Sequence, residues 1–305
     1  MSWKKLGQLF YPNQNHSWMN SHAANPYGVF ISENLMRVFF TCRDTLQRSH
    51  IASLVLDLQS MKILEIDSKP LLEPGQLGLF DDSGVAVACV LEMDNYEYLY
   101  YLGWNLKVTV PWLNSIGLAK RKKTIENSPF EKVSLAPIMD RSNEDPFSIS
   151  YPSILQENNE FRMWYGSNLN WGKDQSEMQH VIKYATSLDG INWIRNNVIS
   201  IPLIHKNEYA LSKPHVIKED NLYKMWYSYR ANGTTQTYRI GYAESEEGLK
   251  WERMDDKVGI DVSESGWDSE MICYPFVFSH KGSKYMLYNG NGYGKTGFGI
   301  AKWKE

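Results

Sequence analysis

The feature that most constrains this 305-residue chain is an internal repeat of about sixty residues. Tyr151-Pro-Ser-Ile-Leu followed by Phe161-Arg-Met-Trp-Tyr165 returns as Lys213-Pro-His-Val-Ile with Tyr223-Lys-Met-Trp-Tyr227, then as Tyr274-Pro-Phe-Val-Phe with Tyr285-Met-Leu-Tyr288. Pro152, Pro214 and Pro275 stand 62 and 61 residues apart. Each of the first two copies continues into a third strand and a turn: Ile182-Lys-Tyr-Ala-Thr-Ser-Leu-Asp-Gly-Ile-Asn-Trp193 and Ile240-Gly-Tyr-Ala-Glu-Ser-Glu-Glu-Gly-Leu-Lys-Trp251. Gly190 and Gly248 suit a tight turn needing positive φ, and the following Trp opens the next strand.

Upstream, Cys89-Val-Leu with Tyr98-Leu-Tyr-Tyr101 keeps the same internal spacing, and Pro26-Tyr-Gly-Val-Phe with Val38-Phe-Phe-Thr41 keeps it to within a residue. That makes five units of about four short strands, rich in β-branched and aromatic residues and parted by Gly, Asn and Asp turns. Strand-rich repeats of this length mark a β-propeller, whose blades stack radially around a channel. The expected fold is therefore all-β: a single domain over residues 1–305, a five-bladed propeller with four-stranded antiparallel blades. The last unit stops at its third strand, Phe298-Gly-Ile-Ala-Lys-Trp303, and residues 2–6 resemble the strand after each turn. The N-terminal strand is thus expected to close the ring and remove a free edge. The least regular segments, 105–113 and 168–179, read as loops over one face, where binding residues commonly sit.

Composition narrows the function. A formal net charge of −3, with no basic stripe, argues against nucleic acid, and the run Lys120-Arg-Lys-Lys123 reads as a solvated turn or strand end. Cys42, Cys89 and Cys273 are odd in number, far apart and without metal-site spacing, which fits a reducing compartment. The N-terminus lacks an apolar signal region, no run is long enough for a membrane span, and the location expected is cytoplasmic. No dinucleotide, phosphate-loop or zinc-protease motif appears, so no cofactor or metal is expected. The 11 Trp and 19 Tyr supply flat amphipathic rings that serve both sheet packing and sugar stacking.

The repeat, the Ser-x-Asp-Gly-x-x-Trp turn at residues 187–193 and the Met-Trp-Tyr strands resemble the five-bladed propeller glycosidase superfamily. It includes the arabinanase and xylosidase-like, invertase and levansucrase-like, and mannoside-phosphorylase-like enzymes. The resemblance covers all five units, most specifically residues 145–301. It implies an active site at the channel mouth, with carboxylates on or just before the innermost strands. Aligned on Cys89 and the three prolines, Asp82, Asp145, Glu208, Asp268 and Glu270 fall at one level of the repeat. In the first unit, invertase-like members carry Trp-Met-Asn-Asp-Pro-Asn-Gly with the Asp as nucleophile. This chain has Asn25-Pro26-Tyr27-Gly28 there, which removes the basis for that retaining mechanism.

Glycoside cleavage needs one protonated and one ionised carboxyl, and clustered acids in a poorly solvated channel raise one another's pKa. The catalytic set expected is Asp82, Glu208 and Glu270, with Asp268 next, Glu270 as general acid and Asp82 as base. Each also has a bland reading, since Asp81-Asp82-Ser83-Gly84 is an ordinary turn sequence and Asp145-Pro146 an ordinary turn starter. Asn25, Arg43, Tyr151, Lys213, Arg230, Asn289 and Asn291 are the expected substrate-binding residues. Asn, Arg and Lys read sugar hydroxyls, and the cations would also hold a phosphate or sugar carboxylate. His22 reads first as structural. The expected activity is cleavage or transfer of a glycosyl unit on a carbohydrate or glycoconjugate substrate; a non-catalytic glycan-binding propeller is the alternative from another class. Hydrolysis and phosphorolysis separate on Lys213 and Arg230, and the expectation is that phosphate is not required.

Overall fold

A computed structural model describes residues 2–12, 16–123, 128–172, 178–233 and 235–304. The protein is all-β, and its strands pair in five antiparallel sets of four. The first comprises β2 (Ser21–Phe30), β3 (Leu35–Arg43), β4 (Ser49–Asp57) and β5 (Lys62–Ile66). The second comprises β6 (Gly84–Met93), β7 (Tyr96–Leu106), β8 (Trp112–Lys122) and β9 (Glu131–Lys132). The third runs through β10 (Ile149–Glu157), β11 (Glu160–Asn168), β12 (His180–Ser187) and β13 (Ile194–Ile201). The fourth runs through β14 (Glu208–Glu219), β15 (Leu222–Ala231), β16 (Arg239–Ser245) and β17 (Glu252–Arg253). The fifth joins β18 (Cys273–His280), β19 (Ser283–Asn289) and β20 (Phe298–Lys304) to β1 (Ser2–Phe10) from the opposite end of the chain.

The recurring turn explains how neighbouring sets hold one another. Gly190 and Gly248 both adopt positive φ, 72° and 77°. Their carbonyls face the preceding set, where Gly190 accepts from the Tyr100 hydroxyl at 3.0 Å and Gly248 from the Trp164 indole at 2.8 Å. The Trp after each turn then packs edge-on against the same ring, Trp193 on Tyr100 and Trp251 on Trp164. Trp164, Tyr165, Trp226 and Tyr227, the Met-Trp-Tyr rings of the repeat, are all buried.

Two local readings differ from the sequence expectation. Segment 105–113 is strand at both ends, because Asn105 and Leu106 pair with Leu113 and Trp112, and only 107–111 form the turn. Of segment 168–179, residues 173–177 lie outside the described residues. Within the basic run 120–123, Arg121 is buried. It pairs with Glu97 and stacks 4.5 Å from the Phe130 ring, which long side chains achieve by laying their stems on apolar surface.

Pairing of β1 with β20 sets Trp3 opposite Trp303, their rings edge-on at 4.9 Å, and places Trp3 in the same core cluster as Trp226. Phe10 at the far end of β1 packs against Phe40 and Phe298. Deleting residues 1–10 should therefore expose two large aromatic sites and unpair β20, costing roughly 3–6 kcal/mol at 1.5–3 kcal/mol per buried ring. Calorimetry should show a clearly lowered Tm, and an unchanged Tm would mean that β1 adds nothing to the fifth set.

Candidate active site

The site starts from a backbone irregularity. The first strands β2, β10, β14 and β18 each lose register just before or at an X-Pro step. The residue ahead of each proline is left-handed: Asn25 (φ 54°), Tyr151 (φ 40°), Lys213 (φ 50°) and Tyr274 (φ 57°). Non-glycine residues adopt this conformation at a cost of roughly 1–3 kcal/mol, and bulges re-aim side chains next to binding sites. β6 carries a register shift at the equivalent place, between Val87 and Cys89. The re-aimed groups meet. The Tyr151 and Tyr274 rings lie 5.4 Å apart, and the Lys213 ammonium sits 5.8 Å from the Tyr151 ring while donating to the Ala88 carbonyl at 2.9 Å.

A cavity of about 380 Å³ opens beside this row, at the end where the first strands begin. Asn25 and His22 line it from β2, Arg43 from β3, Trp104 from β7, Trp112 from β8, Tyr151 from β10, Arg230 from β15 and Tyr274 from β18. Asn168, His180, Tyr238 and Tyr293 add to its polar wall. Among its described lining residues there is no Asp or Glu.

Of the residues expected to bind substrate, the structure therefore brings Asn25, Arg43, Tyr151 and Arg230 to the cavity wall. Lys213 lies behind it, 3% exposed, with burial pulling its ammonium down to about 8. Asn289 is fully buried and positions the site from behind, its side-chain oxygen accepting from the Asn25 amide at 3.0 Å. Asn291 caps a turn instead, accepting from the Glu270 and Met271 amides. His22, read as structural from sequence, is on the wall. His180, Tyr238, Tyr293, Trp104 and Trp112 were missed; they lie outside the repeat's shared motif, so periodicity gave no signal for them.

None of the four carboxylates expected to catalyse is among the described residues lining the cavity, and three of them have side-chain partners elsewhere. Asp82 caps its own turn, accepting from the Gly78 amide and the Ser83 hydroxyl at 2.9 Å. Its neighbour Asp81 holds the repeat position: it accepts from the Tyr101 hydroxyl at 3.0 Å and pairs with Lys132 on β9 at 2.6 Å. Asp145 does the same with Tyr165 and with Arg195 on β13, adding Ser167 and Lys183. Asp268 does so with Tyr288 at 3.0 Å and Lys5 on β1 at 2.7 Å. In the fourth set the task is divided, with Glu208 held by both terminal nitrogens of Arg253 on β17, at 2.7 and 2.9 Å, while Tyr227 donates to Asp255. Glu270 is exposed and its side chain has no hydrogen bond or ion pair among the described residues. At this level of the repeat Asp81, Asp145 and Asp268 thus form a buried clamp joining the start of a set to its second and fourth strands, and Glu208 is tied to the fourth alone.

The electrostatics agree. Burial pushes the Asp145 carboxyl up, but hydrogen bonds from Ser167, Tyr165 and Lys183 outweigh it and hold the group below its usual range, so it stays ionised. On the cavity wall, burial first and the Arg43 charge second pull His22 down to about 4. Burial and then Arg230 do the same to His180. Burial pushes the Tyr151 hydroxyl up to about 12. Around neutral pH the histidines are neutral, the tyrosine is protonated, and Arg43 and Arg230 supply the charge. Among the described residues no group of three or more His, Cys, Asp or Glu is placed to hold a metal ion. No helix among them is long and apolar enough to cross a membrane.

Residues 114–295 match the family described as glycoside hydrolase family 130, β-1,4-mannooligosaccharide phosphorylase. The chain belongs to that family. The family lies within the propeller glycosidase superfamily, and the protein is a glycosidase-like enzyme. It is 44% identical over 302 residues, 99% of each chain, to the uncharacterized protein Rv1502 of Mycobacterium tuberculosis (strain ATCC 25618 / H37Rv). Among solved structures it is similar to a glycosyl hydrolase from Bacteroides ovatus (TM-score 0.71, 13% identity, 99% of this chain and 94% of that one). It is also similar to a structure described in connection with family 130 mannoside phosphorylases and hydrolases that target β-1,2 mannosidic linkages in Candida mannan (TM-score 0.70, 12% identity, 99% and 94% covered). At these identities the two solved structures speak for the propeller fold alone.

Two measurements check the assignment of the acids. Glu208→Gln should destabilise the enzyme by about 3 kcal/mol, because it removes one partner of the buried Arg253, whereas Glu270→Gln should leave both Tm and turnover within error of the parent. Loss of turnover in Glu270→Gln with binding intact would return Glu270 to the chemistry. Acid stability supplies the second check. His22, His180 and, behind the wall, His215 all fall from 6.5 to about 4, burial being the first cause for each. The unfolded chain then binds protons that the folded one refuses, so stability present above 6.5 is lost as pH falls from 6.5 towards 4, by on the order of 3 kcal/mol per group. Thermal unfolding followed between pH 7 and 5 should show this slope, and His215→Gln should reduce it by about a third.

Proposed function

We propose that the five sets are the blades of one ring in a single domain, closed by β1, and that the cavity at its mouth is the active site of a phosphorylase. It would act on the terminal glycosyl unit of a mannoside-type substrate. Contacts between first strands support the ring: β2 lies against β6, β6 against β10, β10 against β14, β14 against β18, and β18 against β2. The mannoside comes from the description of the matched family.

The observation that carries the reaction type is a wall with two arginines and, among its described residues, no carboxylate. Hydrolysis asks a carboxylate base to activate water. Inorganic phosphate is already an anion and asks instead for cations to hold it. Arg43 has no carboxylate partner among the described residues, lies 6.0 Å from the Trp104 ring and faces the cavity next to Tyr151. In this reading Arg43 seats phosphate, a phosphate oxygen attacks the anomeric carbon, and the glycosidic C–O bond breaks as the new C–O–P bond forms. The departing oxygen takes its proton from Tyr151, which stays protonated at neutral pH and whose hydroxyl interacts with Asn25 and Tyr274. The products are a sugar 1-phosphate and the shortened glycoside. This reverses the expectation that phosphate is dispensable.

Turnover of mannosides should depend on added phosphate and yield a sugar 1-phosphate. Arg43→Ala should raise the KM for phosphate more than about tenfold, and Tyr151→Phe should lower kcat by about 10²–10⁴-fold. Release of free sugar at an equal rate without phosphate would overturn the phosphorylase reading.

A further inference from the structure

Arg43 accounts for one of the two guanidiniums, and the other is built differently. Arg230 is next to last in β15 and 4% exposed, yet no carboxylate pairs with it among the described residues. Its plane is held by aromatic rings, 4.6 Å from Tyr238 and 5.1 Å from Tyr209, and its Nη1 donates to the Tyr293 hydroxyl at 2.8 Å. The opposite edge is unpartnered: Nε is buried without a hydrogen-bond partner, and Nη2 makes no hydrogen bond, among the described residues. A buried donor left unsatisfied on a permanent cation is costly, and stacked rings do not replace the missing acceptor. His180 on the same wall, which burial and then the Arg230 charge pull down to about 4, is neutral at pH 7 and cannot compensate the charge. The Nε/Nη2 edge is also the geometry in which arginine takes a carboxylate or phosphate with two parallel bonds.

The two cations are set apart. The Arg43 charge acts on Tyr151, Tyr151 packs against Tyr274, Tyr274 against Tyr238, and Tyr238 against Arg230. One small anion on Arg43 therefore leaves the deeper Arg230 edge unfilled. Asn25 on the same wall carries a buried acceptor, Oδ1, with no hydrogen-bond partner among the described residues, which fits a sugar hydroxyl.

We propose that Arg230 seats an oxyanion carried by the sugar itself, so that the glycoside this enzyme takes bears a carboxylate or a phosphate ester on its terminal unit. The proposal rests on the cavity being the active site. It does not depend on how the glycosidic bond is cleaved.

Isothermal titration of the full chain with mannose, mannuronate, mannose 6-phosphate and inorganic phosphate tests it. At least one of the charged sugars should bind about 30-fold more tightly than mannose, the size expected of hydrogen bonds to a charged group. That preference should fall below about threefold in Arg230→Met, be partly kept in Arg230→Lys, and persist in Arg43→Ala. The carboxylate and the phosphate ester are told apart by which sugar shows the preference. Equal binding of charged and neutral sugars to the parent enzyme would overturn the proposal, and that comparison needs no variant to fold. So would inorganic phosphate binding that is lost in Arg230→Met but kept in Arg43→Ala, since Arg230 would then be the seat of free phosphate. Phosphate dependence of turnover enters neither outcome, so the phosphorylase reading stands or falls separately.

Discussion

The interaction on which the architecture depends is a buried carboxylate at the entrance of a four-stranded set, fastened to a tyrosine on its second strand and a cation on its fourth. Asp81, Asp145 and Asp268 each precede their tyrosine by twenty residues. Without such a tie, the two-residue strands β9 and β17 would have little to hold them, since a short edge strand contributes few ladder bonds. A buried acid of this kind tolerates no loss of partner, because an unpaired charge in low dielectric is far costlier than the pair is favourable. The first set, without a carboxylate at this place, leans on aromatic packing of Phe10, Phe40 and Phe298 instead.

With Asp81, Asp145, Glu208 and Asp268 tied into the scaffold, the character of the cavity falls to the inner-strand bulges. Each X-Pro step turns one side chain out of the alternating pattern and towards its counterparts. The strain of a left-handed non-glycine residue is maintained because strands on both sides fix the backbone. Asn289 shows how the fixing works: its oxygen caps the amide freed at the Asn25 bulge, tying the first set to the fifth. Stability and function are coupled here, since the same bulges that strain the fold assemble Asn25, Tyr151 and Tyr274 around the cavity.

Much of this was legible in the chain. The repeat, the Gly190 and Gly248 turns and the buried Met-Trp-Tyr rings all follow from local pattern, because strand alternation and turn chemistry are written in neighbouring residues. Pairing of the two chain ends was legible too, from a last unit lacking its fourth strand. The partners of the acids were not legible: a repeated position marks whatever each repeat needs, and at Asp81, Asp145 and Asp268 the structure has a clamp to a tyrosine and a cation. One residue of register, Asp81 against Asp82, separates a buried charge from a turn cap, and alignment on Cys89 could not resolve it.

The sequence by itself therefore determined the strand-and-turn grammar, the all-β class and the superfamily, since these depend on residues near one another in the chain. Only the tertiary structure decided which charges are satisfied. Lys132 reaches Asp81, Lys5 reaches Asp268 and Arg253 reaches Glu208 across gaps that no local pattern encodes, while Arg43 and Arg230 are left facing the cavity without a carboxylate partner among the described residues. Ionic partners are chosen by proximity in space, and in a protein that brings its N-terminal strand beside its C-terminal one, that proximity is set by the fold.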